Sequence, residues 1–162
     1  MRIGIVSDTH NNLRNVREIV ALFNDAGVEQ VVHTGDITQA KVLDAFAHLC
    51  VPMCGVYGNN DQGELEELVR AGAANGFDFV QPPLWLSWFN RRIVVVHDPL
   101  ELVPLNLTDA DIVLHGHTHR LTITHEDQRL TFNPGECAGM MKGKNAIGIL
   151  DLATVEPSLL HF

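Results

Sequence analysis

Three times in the first half of the chain a short apolar run hands over to a segment with helical spacing, an alternation that restricts the fold to the α/β class with parallel strands. Arg2 to Ser7 reads as a buried strand. The segment from Asn12 onward carries Leu13, Val16, Ile19, Val20 and Phe23 on one helical face and stops at Gly27. A strand at Val31 to His33 leads to a helix at Gln39 to His48, and a strand at Met53 to Tyr57 leads to a helix from Gly63 to Ala71.

The second half changes character. Leu84 to Phe89 and Arg92 to His97 read as a hairpin turning at Asn90-Arg91, and Leu121 to His125 pairs with Arg129 to Phe132. Ile112 to His115, Ala146 to Leu152 and Leu159 to Phe162 add strands, so the pattern predicts two sheets with helices covering them. At 162 residues and 46% apolar content the chain is expected to be one domain, residues 1–162, with no cap domain.

A formal charge of −9 disfavours extended nucleic acid as a partner, because such binding neutralises phosphates with Lys and Arg; a small phosphate ester remains compatible. With no secretory pattern and no apolar run long enough to span a bilayer, the expectation is a cytoplasmic protein without a membrane partner. Cys50, Cys54 and Cys137 are odd in number, and Cys50 and Cys54 lack zinc-knuckle spacing, so they are read as reduced thiols.

Five polar motifs each follow an apolar strand: Asp8-Thr9-His10, Gly35-Asp36, Gly58-Asn59-Asn60-Asp61, His97-Asp98, and Gly116-His117-Thr118-His119. Strand ends in an open α/β sheet converge on one edge, so motifs distant in sequence can form one site. Taken singly, Asp8 or Asn12 could cap a helix and the Gly-Asp and Gly-Asn pairs could be turns. Together they supply four histidines, two carboxylates and a carboxamide, a nitrogen and oxygen set suited to Mn²⁺, Fe, Zn²⁺ or Ni²⁺ and large enough for two ions, with Asp36 as the candidate bridge. His33, His48, His125 and His161 are expected to be structural. Trp85, Trp88 and Phe89 suggest packing or a subunit contact, hence a homodimer or higher homo-oligomer.

In this order, the fragments D-x-H, GD, GN-x-D, H and GH-x-H resemble the calcineurin-like metallophosphoesterases, and Asn133-Pro134-Gly135 resembles a segment of their small phosphodiesterase branch. The resemblance implies a four-layer αββα sandwich of two mixed sheets. It also implies one divalent ion on Asp8, His10 and His119, a second on Asn59, His97 and His117, and Asp36 between them, with manganese foremost among the metals. Asn60 and Asp61 of the third motif are the implied catalytic positions. The implied activity is phosphodiester hydrolysis by a hydroxide bridging the two ions; a phosphomonoesterase, or a non-enzymatic interaction scaffold like the retromer subunit of this fold, are the alternatives.

Three positions depart from the pattern. Asn60 stands where many relatives have histidine, and an amide cannot protonate a leaving group. Asp98 follows His97 where glycine is common; it and His115 are read as partners that orient ligating imidazoles or as substitute acids. Gln39 replaces the tyrosine of purple acid phosphatases, which excludes a tyrosinate-iron centre. An amidohydrolase barrel needs about 250 residues, more than this chain has.

Overall fold

The computed structural model describes all 162 residues. β1 (Arg2–Val6), α1 (Leu13–Ala26), β2 (Gln30–His33), α2 (Ala40–Phe46), β3 (Met53–Val56), α3 (Leu65–Asn75) and β4 (Asp78–Val80) form the predicted βα succession. The strands lie parallel, and β10 (Ala146–Asp151) and β11 (Glu156–His161) complete the sheet antiparallel, in the order β11-β10-β1-β2-β3-β4. The second sheet has the order β5-β6-β7-β9-β8, from β5 (Leu84–Trp88), β6 (Arg91–Val95), β7 (Ile112–Leu114), β8 (Thr122–Glu126) and β9 (Arg129–Asn133). Here β6, β7 and β9 are parallel, flanked by two antiparallel hairpin strands, so both sheets are mixed.

The period-2 alternation of strands sorts side chains into two cores. Ile3, Ile5, Val32 and Val56 face the second sheet and pack on Ile93, Val95, Ile112, Leu114, Leu130 and Phe132, all fully buried. The intervening Val6 and Val31, with Ile147 and Ile149, face outward under Val16, Ile19 and Phe23 of α1 and Val42, Leu43 and Phe46 of α2. α1 begins where the Asn12 side chain accepts the Asn15 amide (3.2 Å) and ends on Gly27 in the left-handed conformation (φ 63°), the cap and stop read from the sequence.

The sandwich is uneven. Three helices cover the first sheet, whereas Val94, Val96 and Val113 on the outer face of the second are covered by a 3-10 turn (Pro99–Leu102) and the irregular segment carrying Leu105 and Leu107. Other details differ from the sequence reading. β4 is only three residues long, too short to show a period, and is parallel to β3 at the sheet edge. The hairpin turns at Phe89-Asn90, whose φ of 50° and 57° supply the left-handed pair a two-residue turn needs, one position earlier than expected. β11 starts at Glu156 and carries Pro157, tolerated because this strand lies at the edge.

Candidate metal centre

Each predicted ligand lies just beyond the C-terminal end of a parallel strand: Asp8 and His10 after β1, Asp36 after β2, Asn59 after β3, His97 after β6, His117 and His119 after β7. The loops that hold them are conformationally unusual. Asp8, His10, Asp36, His117 and His119 all have positive φ, between 38° and 64°. For non-glycine residues such backbone costs on the order of 1–3 kcal/mol each and persists only where surrounding structure imposes it. Here the loops lock one another: the Asp8 amide donates to Gly35 O (3.0 Å), the His10 amide to Asp36 O (3.1 Å) and the Gly116 amide to His97 O (3.0 Å). Two further bonds join the sheets, from the His117 amide to Asp8 Oδ2 (3.1 Å) and between His97 Nδ1 and Thr34 O (2.8 Å).

The loops also need glycine at two close approaches. A Cβ on Gly58 would collide with the Asp36 carboxylate, and one on Gly116 would collide with Ser7 Oγ and press on Asp8. These glycines therefore serve the packing of the site rather than turns alone.

The donors gather in two groups. Around the first, His10 Nε2 and His119 Nε2 are 3.2 Å apart, and Asp8 Oδ1 lies 3.4 Å from His119 and 3.8 Å from His10. Around the second, Asn59 Oδ1 is 3.0 Å from both His97 Nε2 and His117 Nδ1, which are 3.3 Å apart. Asp36 faces both: Oδ2 lies 3.4 Å from His10 Nε2, and Oδ1 lies 3.4 Å from His97 Nε2. Donors bound about 2.1 Å from a common cation stand roughly 3.0–3.4 Å from one another, the spacing found in both groups. Asp8, Asp36 and His97 also have donor atoms within 4.8 Å of one another, so the groups are contiguous.

The carboxylates test whether cations fit. Asp8 is fully buried; its Oδ2 accepts Ser7 Oγ (2.5 Å) and the His117 amide, while Oδ1 has no hydrogen-bond partner. A buried acceptor left unpaired costs about 1–3 kcal/mol, and this one points at two imidazole nitrogens. Burial raises the Asp8 pKa above the usual carboxylate value. Asp36 behaves oppositely. Burial pushes its pKa up, but hydrogen bonds from His97 and Asn60 more than offset that and hold it below the usual range. His97 is the complement: burial lowers its pKa, and the Asp36 carboxylate outweighs burial to raise it to about 9.

The unused ring nitrogens are positioned too. His117 turns Nε2 toward Asp98 Oδ2 (3.6 Å), and His119 turns Nδ1 toward Glu136 Oε2 (3.6 Å). Asp98 thus stands where a partner that orients an imidazole would stand. Glu136 escaped the sequence reading. It is fully buried and also accepts the Met140 and Met141 amides (3.2 and 2.6 Å), tying that loop to His119. His115, by contrast, is buried with Nδ1 against Gly116 O (3.1 Å), and burial lowers its pKa; it faces no ligand and is no substitute acid.

The two implied catalytic positions separate. Asn60 is exposed and donates from its amide and Nδ2 to Asp36 Oδ1 (3.0 Å) and Oδ2 (2.7 Å). Asp61 is fully buried, and its carboxylate accepts the amides of Asp36 (3.0 Å), Thr38 (2.6 Å) and Gly58 (2.7 Å). With its oxygens committed to backbone, Asp61 is placed to brace two ligand loops, not to meet a substrate.

The remaining expectations have clear places. Asn133 Nδ2 donates to Gly116 O (3.0 Å) and lies 3.2 Å from Thr118 Oγ1, so the Asn-Pro-Gly segment braces the His-x-His loop. Burial drives His33 to about 3; its Nδ1 accepts the Gly35 amide and its Nε2 faces Thr9 Oγ1. Arg91 donates to Leu152 O (3.2 Å) and Arg92 stacks on Trp85 (5.4 Å), leaving neither as a phosphate clamp. All three cysteines are free thiols.

A strand-end cluster of histidines and carboxylates on an αββα sandwich defines a metallophosphoesterase, and the comparisons agree: the profile of the calcineurin-like phosphoesterase superfamily domain matches residues 1–155, and the chain belongs to that family. Phosphodiesterase MJ0936 of Methanocaldococcus jannaschii is 34% identical over 156 residues, 93% of each protein. Phosphodiesterase YfcE of Escherichia coli K12 is 25% identical over 169 residues, 93% of this chain and 88% of that one. Among solved structures, a novel archaeal phosphodiesterase superposes with a TM-score of 0.90 at 33% identity, with complete coverage of both chains. Vps29 of Entamoeba histolytica shares the fold at a TM-score of 0.69 and 18% identity, covering 100% of this chain and 99% of that one.

Proposed function

We propose that this chain is a phosphodiesterase with two divalent ions, one held by Asp8, His10, His119 and Asp36, the other by Asp36, Asn59, His97 and His117. The observation that carries the reading is Asp36, whose two oxygens face two separate sets of nitrogen and oxygen donors. Bound there, two divalent ions would supply an activated water and draw negative charge from the phosphoryl group. The chain's own share is geometric. Asp61, Thr34 and Asn133 fix the loops, Asp98 and Glu136 aim His117 and His119, and Asn60 holds Asp36 in the orientation that serves both sets. The curated relatives named phosphodiesterases support diesters over monoesters. All donors are nitrogen or oxygen, which favours manganese, with iron, zinc or nickel as alternatives.

Three free thiols suit a reducing cytoplasm. No helix is long and apolar enough to cross a membrane. Trp85 and Phe89, 37% and 57% exposed beside one another on the hairpin, are the surface we assign to a homodimer contact. The primary test is hydrolysis by metal-stripped protein reloaded with each metal, using aryl monoesters and diesters. Diester turnover restored best by Mn²⁺ is expected. Failure with every metal would leave an interaction scaffold.

Two predictions concern metal binding itself. Glu136→Gln removes the carboxylate facing His119 Nδ1 and should weaken binding of one ion about 10–100-fold, read by competition with a chelator; unchanged affinity for both ions would contradict the orienting role. Binding should also depend on pH. His97 is protonated below about 9 in the metal-free protein and must lose that proton to ligate, so affinity for the second ion rises with pH up to about 9 and binding releases protons, measurable by calorimetry in buffers of different ionisation enthalpy.

A further inference from the structure

Two cavities of similar size flank the centre and differ in chemistry. The first, about 330 Å³, opens beside His97 and His117 and is lined by the carboxylates of Asp98 and Glu101. Glu101 is held in place, accepting the His97 and Asp98 amides (3.0 and 3.2 Å). The second, about 320 Å³, opens beside His119. Leu121, Pro134, Met141 and Leu159 give it apolar walls, Arg120 and Lys144 stand in its lining, and no carboxylate contributes. In a chain with 20 acidic and 11 basic residues, a cavity lined by two cations and no acid stands apart from the rest of the surface.

A diester bound at the centre sends two arms away from phosphorus in different directions. An arm carrying a second phosphate is repelled on the Asp98 and Glu101 side. On the other side it meets a guanidinium and an ammonium, whose charge-assisted bonds to phosphate are among the stronger polar contacts. The apolar walls suit a carbon body such as a sugar with a base. The cavity lies at the small end of the range for ligand pockets, enough for one such arm and too small for a polymer.

We infer that the His119-side cavity is a subsite for an ester arm that bears a second phosphate on an apolar-walled body, so that the preferred substrates are small nucleotide-type diesters bound in one orientation. The inference rests on the phosphodiesterase reading. Glu136 adds a structural reason for its position: the carboxylate that faces His119 also holds the Met140 and Met141 amides, so the wall of the cavity and a ligand of the centre are fixed by one buried group.

The test uses a matched pair of chromogenic diesters, thymidine 5′-(p-nitrophenyl phosphate) and the same ester with a 3′-phosphate. The readout is the ratio of their kcat/KM values in the metal-loaded protein, which removes any common effect of a substitution on folding or metal content. A preference of about tenfold for the 3′-phosphorylated ester is expected, falling to near one in R120A/K144A and below one in Lys144→Glu. A wild-type ratio of one or less, or a ratio that neither variant moves, overturns the subsite. If no diester is hydrolysed with any metal, the phosphodiesterase reading fails separately. Calorimetric binding of thymidine 3′,5′-bisphosphate and thymidine 5′-monophosphate then decides the cavity alone: tighter binding of the bisphosphate that Lys144→Glu abolishes supports it, and equal affinities overturn it.

Discussion

Asp36→Asn should lower metal-dependent diester hydrolysis by on the order of 10³-fold, comparable to removing a principal electrostatic element from an active site. The substitution keeps the shape of the side chain but not its function. A carboxylate offers an anionic oxygen to each donor group, with Oδ2 3.4 Å from His10 and Oδ1 3.4 Å from His97. A carboxamide offers one neutral oxygen, and its NH₂ must then face either an imidazole nitrogen or one of the two donors of Asn60. Metal analysis should therefore show fewer than two ions per chain at micromolar metal. The metal-free protein gives an independent reading. Asp36 is what raises His97 to about 9, so its replacement should bring the His97 titration, followed by NMR, down toward or below the ordinary histidine value. Two bound ions, activity within tenfold of wild type and an unmoved His97 would together remove Asp36 from the centre of the scheme.

The candidate ligands were readable in the sequence because their chemistry and their placement coincide. Histidines, carboxylates and an amide at the ends of apolar strands need only the parallel α/β topology to bring residues 8 and 119 within reach, and that topology follows from local alternation. What surrounds them was not readable in the same way. Glu136 sits in no periodic pattern; it is buried because the 140–141 loop folds over it and because His119 arrives from another sheet loop. Asp61 shows the opposite difficulty. It shares a motif with Asn60, so the two look like one functional unit, yet the 3-10 turn over Asn59–Glu64 sends adjacent side chains different ways. Asn60 points to Asp36, while Asp61 turns inward to three backbone amides.

The fold divides along the same line. Strands with five or six alternating or apolar residues and the amphipathic α1 carry their own signal, whereas three-residue β4 exists because β3 offers it an open edge. The thin cover over the second sheet has a similar cause. Leu102, Leu105 and Leu107 have spacing that builds no sustained helical face, so they pack on Val94 and Val113 through an irregular segment.

Asn60→His should raise hydrolysis of alkyl diesters by about 10²-fold, at the lower end of what general acid catalysis provides, while changing aryl diesters only a few-fold. The asymmetry follows from the leaving groups: a nitrophenolate departs without a proton, and an alkoxide does not. In the native protein the exposed Asn60 spends both of its donors on Asp36 and has no acidic proton to give, so log kcat/KM should fall steeply as the leaving alcohol becomes more basic. An imidazole at this position can keep one N–H toward Asp36 and present a titratable proton at the same edge of the site. The slope against leaving-group pKa should flatten. Because the introduced group works in its protonated form, the gain should be present at low pH and disappear as pH rises through its pKa, near 6.5 if unperturbed, for alkyl esters only. Equal slopes and superimposable pH profiles for the two proteins would show that the amide at position 60 does not limit proton delivery, and the preference for activated esters would then have to arise from the shape of the flanking cavities instead.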